Sequence, residues 1–319
     1  MGFWRLVLAW MVVVCHTAGY DKMSHVDIGT IAVATFFFIS GFLMPLTYET
    51  HYKKQGIRGV CFFYINRTLK IYPVYWVSLL LMVGMLLGSD ILHKTMRVNL
   101  IEVKTYIQNI LLIGINQSFL WGGYIRLNNP SWTLDVELQY YILTPVLLYT
   151  ITAKKWLGAI IFFGLSVISL YLFFQPADLV DIDRSFILWS IFFLAGFVFY
   201  KSHALIFWRN GFFIVTVVTL AMIFGLYSVG SVQTFSIILL FICLSSFLLL
   251  KQKEYKFGPL DRFLGDLSYP TYILHIVFFG PAIKILKFTS VSSLSSGAEF
   301  LITSLVHIIV STGVGYLSS

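Results

Sequence analysis

The stretch RLVLAWMVVVCH, residues 5 to 16, places ten uncharged residues between an arginine and a histidine. Apolar segments of about 20 residues, each long enough to cross a hydrocarbon core of about 30 Å as a helix, recur along the rest of the chain. A backbone exposed to lipid has to satisfy its own hydrogen bonds, and a helix does so within one segment. The stretch therefore predicts the first helix of an all-α integral membrane protein.

The composition supports this prediction. Of the 319 residues, 58% are hydrophobic and 11% are charged, and the mean hydropathy is +0.85. Soluble domains are about 45–50% apolar and about 25% charged. The net charge of +8 is compatible with nucleic-acid binding, but most basic residues lie in short loops between apolar segments, where lysine and arginine set membrane topology. We therefore expect the lipid bilayer as a partner and no nucleic acid.

The hydropathy pattern predicts a bundle of about ten transmembrane helices. Their predicted bounds are 3–20, 27–48, 71–89, 130–152, 156–174, 185–200, 210–228, 233–250, 266–286 and 298–317. The loops after the second, fourth, sixth and eighth helices hold 13 of the 22 basic residues, so these loops face the cytoplasm by the positive-inside rule. Both termini then lie in the cytoplasm, and residues 90–129 form the longest loop on the opposite side.

No internal repeat or linker stands out, so the chain is interpreted as one domain over residues 1–319. The three cysteines, Cys15, Cys61 and Cys243, are far apart and lack metal-ligand spacing, so no metal site is expected. Without a separate soluble catalytic module, any chemistry has to use polar residues within the membrane region.

Arg5 and His16 lie eleven positions apart on the first predicted helix. At about 100° and about 1.5 Å per residue, they project from the same face and are separated by about 16 Å. Arg5 alone is typical of a side chain that snorkels to lipid phosphate. His16 lies too deep for that, and ionisable residues at such depth usually face a cavity. The alternative for His16 is a histidine bonded to a backbone carbonyl between packed helices.

A second unusual stretch is NNPSWTLDVELQYY, residues 128 to 141. Asn129 or Ser131 is expected to cap a helix that begins near Pro130. Asp135 follows in the first turns, where an acidic residue favours the helix dipole and needs no function.

Glu137 lies deeper on the same helix. By rise per residue, Glu137 and His16 both lie about 20 Å from the inner membrane boundary. A carboxylate level with an imidazole can fix its tautomer and raise its basicity, which a general base needs. We therefore predict that Glu137 orients His16, with an ion pair that serves only packing as the alternative.

Two stretches lie toward the cytoplasm. FFFISGFLMP, residues 36 to 45, contains Ser40 and Gly41, small residues that let a ligand or another helix come close. RTLKIYPVYW, residues 67 to 76, begins with two cations just before the third predicted helix. These cations, Arg67 and Lys70, either anchor the helix or form a basic mouth with the arginine of the first helix for a phosphate-bearing cosubstrate.

Together with LGDLSYPTYILHIVF, residues 264 to 278, these stretches resemble the membrane-bound type-three acyltransferase family, whose members O-acetylate bacterial cell-surface and exported sugars. The motifs, in order and spacing, cover nearly the whole chain. The resemblance implies transfer of an acyl group, usually acetyl, from cytoplasmic acyl-CoA to a hydroxyl of a glycan or glycolipid at the bacterial inner membrane. It also implies that activity depends on Arg5 and His16, and that Glu137 is the family's glutamate. A C-terminal tail that often follows the last helix in relatives is expected to be missing.

On this basis we expect acetyl-CoA as cosubstrate and no bound cofactor. The phosphates of CoA would contact Arg5, Arg67 or Lys70, with Ser40 further along the donor, and the thioester would lie near His16. The base would deprotonate the acceptor hydroxyl, which attacks the thioester, and a covalent acyl-histidine is the variant left open. Three hydroxyls are expected as candidate donors to the oxyanion: Thr133, Tyr269 and Tyr272. A further histidine, His275, is expected either to support the site or to serve packing.

The competing class is a proton-coupled transporter or flippase of a glycan or small solute, because buried histidine and glutamate in a membrane bundle also describe such carriers. No inverted repeat supports that alternative. The acceptor, the acyl chain and the oligomeric state are left open by the sequence.

Overall fold

The computed structural model describes residues 1–17, 27–93, 103–112, 114–116, 126–173, 184–209, 231–254, 258–287 and 296–318. Within these ranges the chain forms helices and turns and no β-strand. Its α-helices, in chain order, are α1 Gly2–Cys15, α2 Ile28–Thr47, α3 Gly56–His93, α4 Val103–Leu111, α5 Ser131–Ala153, α6 Lys155–Phe173, α7 Phe186–Arg209, α8 Ser231–Glu254, α9 Pro259–Lys287 and α10 Ser296–Ser318.

The described helices fit the predicted all-α membrane protein. Nine of the ten predicted segments overlap one of them, and the remaining segment, 210–228, lies outside the described residues. Three stretches of the described chain are long and apolar enough to cross a membrane: Ile28–Gly88, Trp156–Phe173 and Gln233–Leu250. Three shorter helical stretches are also apolar: Gly2–Cys15, Phe186–Lys201 and Ile302–Val314.

Two helix bounds differ from the prediction in ways that affect the site. Helix α1 ends at Cys15 and His16 is its C-cap, whereas the predicted helix continued to residue 20. Helix α3 begins at Gly56, which turns the chain at a φ of 58°. Arg67 and Lys70 were expected in a loop before the helix, but they lie well inside it because the helix continues through its polar first turns.

The predicted loop over residues 90–129 contains a helix, α4. Its buried residues are polar: Thr105, Gln108 and Asn109. The Asn109 carbonyl accepts from the Tyr75 hydroxyl at 2.6 Å, and its side-chain oxygen accepts from the Leu127 amide at 3.0 Å. A search for apolar runs misses such a helix, because hydrogen bonds rather than apolar side chains attach it to its neighbours.

Asp135 attaches the segment after α4 to helix α5. The fully buried carboxylate accepts from the backbone amides of Gly114 at 2.7 Å and Asn116 at 2.9 Å, and from Gln139 at 3.0 Å. The prediction that Asp135 merely favours the helix dipole was therefore incomplete. The predicted cap was wrong, because Pro130 is the N-cap of α5 and no side chain caps it.

Helices α2 and α7 cross at very short distance. A Cβ added to Gly41 would lie 2.2 Å from the Phe193 carbonyl oxygen, and one added to Gly196 would lie 2.1 Å from the Phe38 carbonyl oxygen. Both positions therefore need glycine. Gly41 serves helix packing, and because the next residue of a helix is rotated by about 100°, Ser40 faces a different neighbour.

Helix α1 is fixed against the start of α9. The Asp261 carboxylate accepts from the Met1 amino group at 2.8 Å and from the backbone amides of Gly2 and Phe3 at 2.9 and 3.0 Å. The first turn of a helix leaves such amides without intrahelical partners, so Asp261 supplies the missing cap from another helix. Burial raises the pKa of this carboxyl, but these hydrogen bonds outweigh burial and hold the pKa below its usual value.

Candidate active site

Helices α1, α2, α3, α5 and α9 enclose a cavity of about 260 Å³. Eight of the ten predicted site residues line it: Arg5, Ser40, Arg67, Lys70, Thr133, Glu137, Tyr269 and Tyr272. The other two, His16 and His275, are not among its lining residues. The structure thus brings together most of the residues selected from five separate stretches of sequence.

The cavity is long and follows one face of α2. Its α2 lining begins at Val33, ends at Thr47 and recurs every three or four residues, as expected for one face of a helix. Fourteen steps at about 1.5 Å per residue make this lining about 21 Å long. Ser40 lies midway between the two ends.

One end of the cavity, the basic end, is formed by Arg5, Arg67 and Lys70. Lys70 interacts electrostatically with both arginines and, with opposite sign, with Asp266 and Glu137. Arg67 lies beside Met44, with 3.7 Å between its Nη1 and the Met44 sulfur, and its buried Nε finds no hydrogen-bond partner in the described part of the chain. Among the described residues, none of the three cations forms an ion pair. Three such cations at one end of a cavity favour an anionic ligand.

Glu137 lies between the two ends. The Ser40 hydroxyl donates to its Oε1 at 2.8 Å, and the Tyr141 hydroxyl donates to the same oxygen. The other carboxylate oxygen, Oε2, has no partner within the described part of the chain. Glu137 lines the cavity, so its second oxygen is available to a ligand there.

The other end of the cavity, the aromatic end, is formed by Val33, Phe36, Thr133 and Tyr272. The rings of Phe36 and Tyr272 lie 6.2 Å apart between centroids. The Tyr272 and Thr133 hydroxyls lie 2.7 Å apart, so one donates to the other, and they lie 3.2 and 3.1 Å respectively from the carbonyl oxygen of Pro130. Tyr269, another predicted oxyanion donor, instead donates to the Ile71 carbonyl at 2.6 Å.

His16 lies near the aromatic end. Its neighbour Cys15 packs on Gly29, where an added Cβ would lie 2.8 Å from the cysteine sulfur. Val33 follows Gly29 by about 6 Å along α2. The imidazole Nδ1 of His16 lies 2.9 Å from the Val12 carbonyl oxygen, which accepts only from a protonated nitrogen. The neutral ring therefore carries its proton on Nδ1, and Nε2 is the basic nitrogen.

The structure does not bring His16 and Glu137 into the predicted contact. Glu137 is held by Ser40 and Tyr141, whereas the ring of His16 faces His275, with 5.0 Å between ring centroids. The heights of the two residues along their helices agree with a contact, but height gives no information about lateral position in a bundle. The Val12 carbonyl bonds the imidazole in place of the carboxylate, which is the contact expected under the alternative in which His16 packs between helices.

His275 belongs to a histidine cluster that joins α1, α9 and α10. The ring of His275 lies 5.9 Å from that of His307, and the His307 Nε2 donates to the His275 carbonyl at 3.0 Å. His307 Nδ1 lies 3.3 Å from the hydroxyl of Thr17, the residue after His16. Sequence reasoning missed His307, although the criterion that selected His16, an ionisable residue within an apolar segment, applies to it as well.

His275 is fully buried within this cluster. Its Nδ1 donates to the Tyr272 carbonyl, at 2.5 Å, and its Nε2 has no hydrogen-bond partner among the residues that the structure describes. Since Tyr272 lines the cavity, His275 connects the cavity wall to His16. Among the described residues, no group of three or more His, Cys, Asp or Glu side chains could hold a metal ion.

Comparison with known proteins identifies the family. Residues 1–318 match the model of acyltransferase family 3, described as an acyltransferase domain. The chain belongs to this family. Membership in acyltransferase family 3 confirms the resemblance inferred from the motifs and their spacing.

The relatives that the chain matches are bacterial proteins. Proteins of Staphylococcus aureus strains COL and MSSA476, both provisionally named O-acetyltransferases, are 32% identical over 148 residues, which is 44% of this chain and 24% of each relative. Nodulation protein 10 of Rhizobium leguminosarum biovar viciae is 27% identical over 140 residues, 40% of this chain and 36% of that protein. The matched region is thus about a quarter of the length of the Staphylococcus relatives. No solved structure matches the chain.

Proposed function

We propose that the protein is a membrane O-acyltransferase that moves an acyl group, by default acetyl, from cytoplasmic acyl-CoA to a hydroxyl of a cell-surface or lipid-linked glycan. The observation that carries the proposal is the cavity itself. At one end it has three cations that form no ion pair with any described residue, and its lining on α2 extends about 21 Å toward a histidine with a basic Nε2. Family membership and the provisional names of the Staphylococcus relatives support the same reaction class.

The proposed topology is a single domain that crosses the bacterial inner membrane about ten times, with both termini in the cytoplasm. Helices at nine of the predicted positions support it. Under this topology the basic end of the cavity faces the cytoplasm, where acyl-CoA is available, and the aromatic end lies deeper in the membrane.

The donor would bind with its phosphates at the basic end. A guanidinium fork suits phosphate oxygens, so Arg5 and Arg67 would contact them directly, with Lys70 adding charge. The arm of the donor would then follow α2 and bring the thioester to the aromatic end. No cofactor beyond this cosubstrate is needed for the reaction.

His16 would act as general base. Its Nε2 takes the proton of the acceptor hydroxyl, whose oxygen attacks the thioester carbon. The carbon–sulfur bond then breaks, and the leaving CoA sulfur takes the proton from His16 as a thiol. Thr133 or Tyr272 would turn a hydroxyl from the Pro130 carbonyl to the oxyanion, in the manner of other acyl transfers. His275 would support His16 by packing beside it.

Vesicles test the proposed function directly. Purified protein in vesicles, with acetyl-CoA labelled in the acetyl group and a bacterial glycan extract, should move label into the glycan fraction. A result in which label never leaves CoA while a glycan or small solute crosses the bilayer would support the transporter class instead.

A further inference from the structure

The hydrogen bonds of Glu137 indicate a role distinct from orienting His16. Both of its protein partners, Ser40 and Tyr141, donate to the same oxygen, Oε1. The second oxygen, Oε2, has no partner among the described residues, yet Glu137 is only partly buried and lines the cavity. A carboxylate oxygen in a protein interior normally accepts hydrogen bonds. A ligand in the cavity can therefore donate a hydrogen bond to Oε2.

The position of Glu137 determines which part of the ligand it meets. Ser40, its partner on α2, lies seven residues from Val33 and seven from Thr47, which places the carboxylate about 10 Å from either end of the cavity lining. It interacts electrostatically with Lys70 of the basic end and with Tyr272 of the aromatic end, so it lies between the phosphates and the thioester of a donor bound as proposed. The middle of a donor bound as proposed is the pantetheine arm, which carries amide N–H groups.

We propose that Glu137 Oε2 accepts a hydrogen bond from an amide N–H of the pantetheine arm of the acyl donor, and so forms a subsite midway along the cavity. The inference rests on the proposed function, because it takes acyl-CoA as the donor. Two hydroxyls hold the carboxylate at Oε1, so its orientation toward the arm is set before the donor arrives. A hydrogen bond to a charged acceptor is stronger than one between neutral groups, so this contact adds affinity and also fixes the position of the arm along the cavity.

The variant Glu137→Gln tests the subsite with almost no change in shape. Glutamine can present its single oxygen to Ser40 and Tyr141, which leaves its NH₂ group facing the arm where Oε2 was. Two N–H groups then face each other, and no hydrogen bond can form between them. The affinity of purified protein for CoA should fall about tenfold, whereas the affinity for 3′-phospho-ADP, the nucleotide half of CoA without the arm, should stay the same. Glu49→Gln makes the same chemical change outside the cavity and should leave both affinities unchanged.

Glu137→Asp serves as a second variant should the glutamine protein fold poorly. It keeps the charge but withdraws the carboxylate from the arm, so it should also weaken CoA binding selectively. The inference is overturned if Glu137→Gln binds CoA as tightly as the wild type, and equally if it loses affinity for CoA and 3′-phospho-ADP by the same factor. A wild-type protein that binds neither compound would overturn the acyl-CoA donor itself, which separates failure of the proposed function from failure of the subsite.

Discussion

The rings of His16 and His275 lie 5.0 Å apart between centroids and are inclined by 56°. This relationship joins the C-cap of α1 to the middle of α9, and it places the proposed base beside a fully buried histidine rather than beside a carboxylate. Since the Val12 carbonyl sets the tautomer of His16, the base does not need Glu137 for that purpose. Because His16 and Glu137 have separate proposed roles, substitutions at different points along the cavity should have different effects.

Removal of a cation from the basic end should weaken donor binding and leave chemistry largely intact. For Arg5→Ala or Arg67→Ala, we expect KM for acetyl-CoA to rise by about tenfold or more while kcat changes little, because the lost contact exists in both the ground state and the transition state. Steady-state transfer kinetics measure both constants. Arg58→Ala, which removes an exposed arginine from the same helix as Arg67, is the matched control. An unchanged KM in both cavity variants would contradict the assignment of the phosphates to the basic end.

Because α2 and α7 cross closely at Gly41, alanine there should destabilise the fold more than alanine at Gly84 does. Gly41→Ala would place a methyl group 2.2 Å from a backbone oxygen of α7, and we expect about 1–3 kcal/mol of destabilisation. Gly84→Ala, in α3, adds a methyl group that meets no described residue within 4 Å beyond its own stretch of helix, and it should be neutral or slightly stabilising, since alanine favours a helix. Thermal unfolding in detergent compares the two. Equal stability of both variants would argue against the crossing.

The cap that Asp261 provides for α1 predicts a pH dependence of stability. A carboxyl whose pKa is lower in the folded than in the unfolded protein contributes stability above its unfolded pKa of about 4 and loses it as pH falls through the folded pKa. The wild type should therefore lose more thermal stability between pH 7 and pH 3 than Asp261→Ala does. Unfolding temperatures of both proteins across this range measure the difference. Parallel curves for the two proteins would show that the carboxylate adds nothing to the folded state.

Much of the helical framework could be predicted from sequence, because apolar segments of sufficient length have few alternatives in a membrane. Helix α4 is the exception, since its buried face carries Thr105, Gln108 and Asn109 rather than apolar residues. The extended start of α3 was also missed, because its first turns are polar and hydropathy marks only the apolar part of a helix. Whether a polar segment forms a helix thus depends on the neighbouring elements it bonds to, and a single sequence does not reveal those neighbours.

The residues of the candidate site could be predicted from the sequence, but the contacts between them could not. Polar residues in apolar segments are rare enough to be found one by one, and most of those selected line one cavity. Which of them touch depends on how helices are arranged around each other. Height along a helix suggested Glu137 for His16, whereas the lateral arrangement gives Ser40 to Glu137 and His275 to His16.

The most direct test is the initial rate of acetyl transfer from labelled acetyl-CoA to glycan at saturating donor, compared among the wild type, His16→Ala and His51→Ala. His51 is an exposed histidine outside the cavity and serves as the control. If His16 is the general base, His16→Ala should lose at least about 100-fold in rate while it folds and binds CoA like the wild type, and His51→Ala should retain full activity. A His16→Ala protein that transfers acetyl at the wild-type rate would contradict the mechanism.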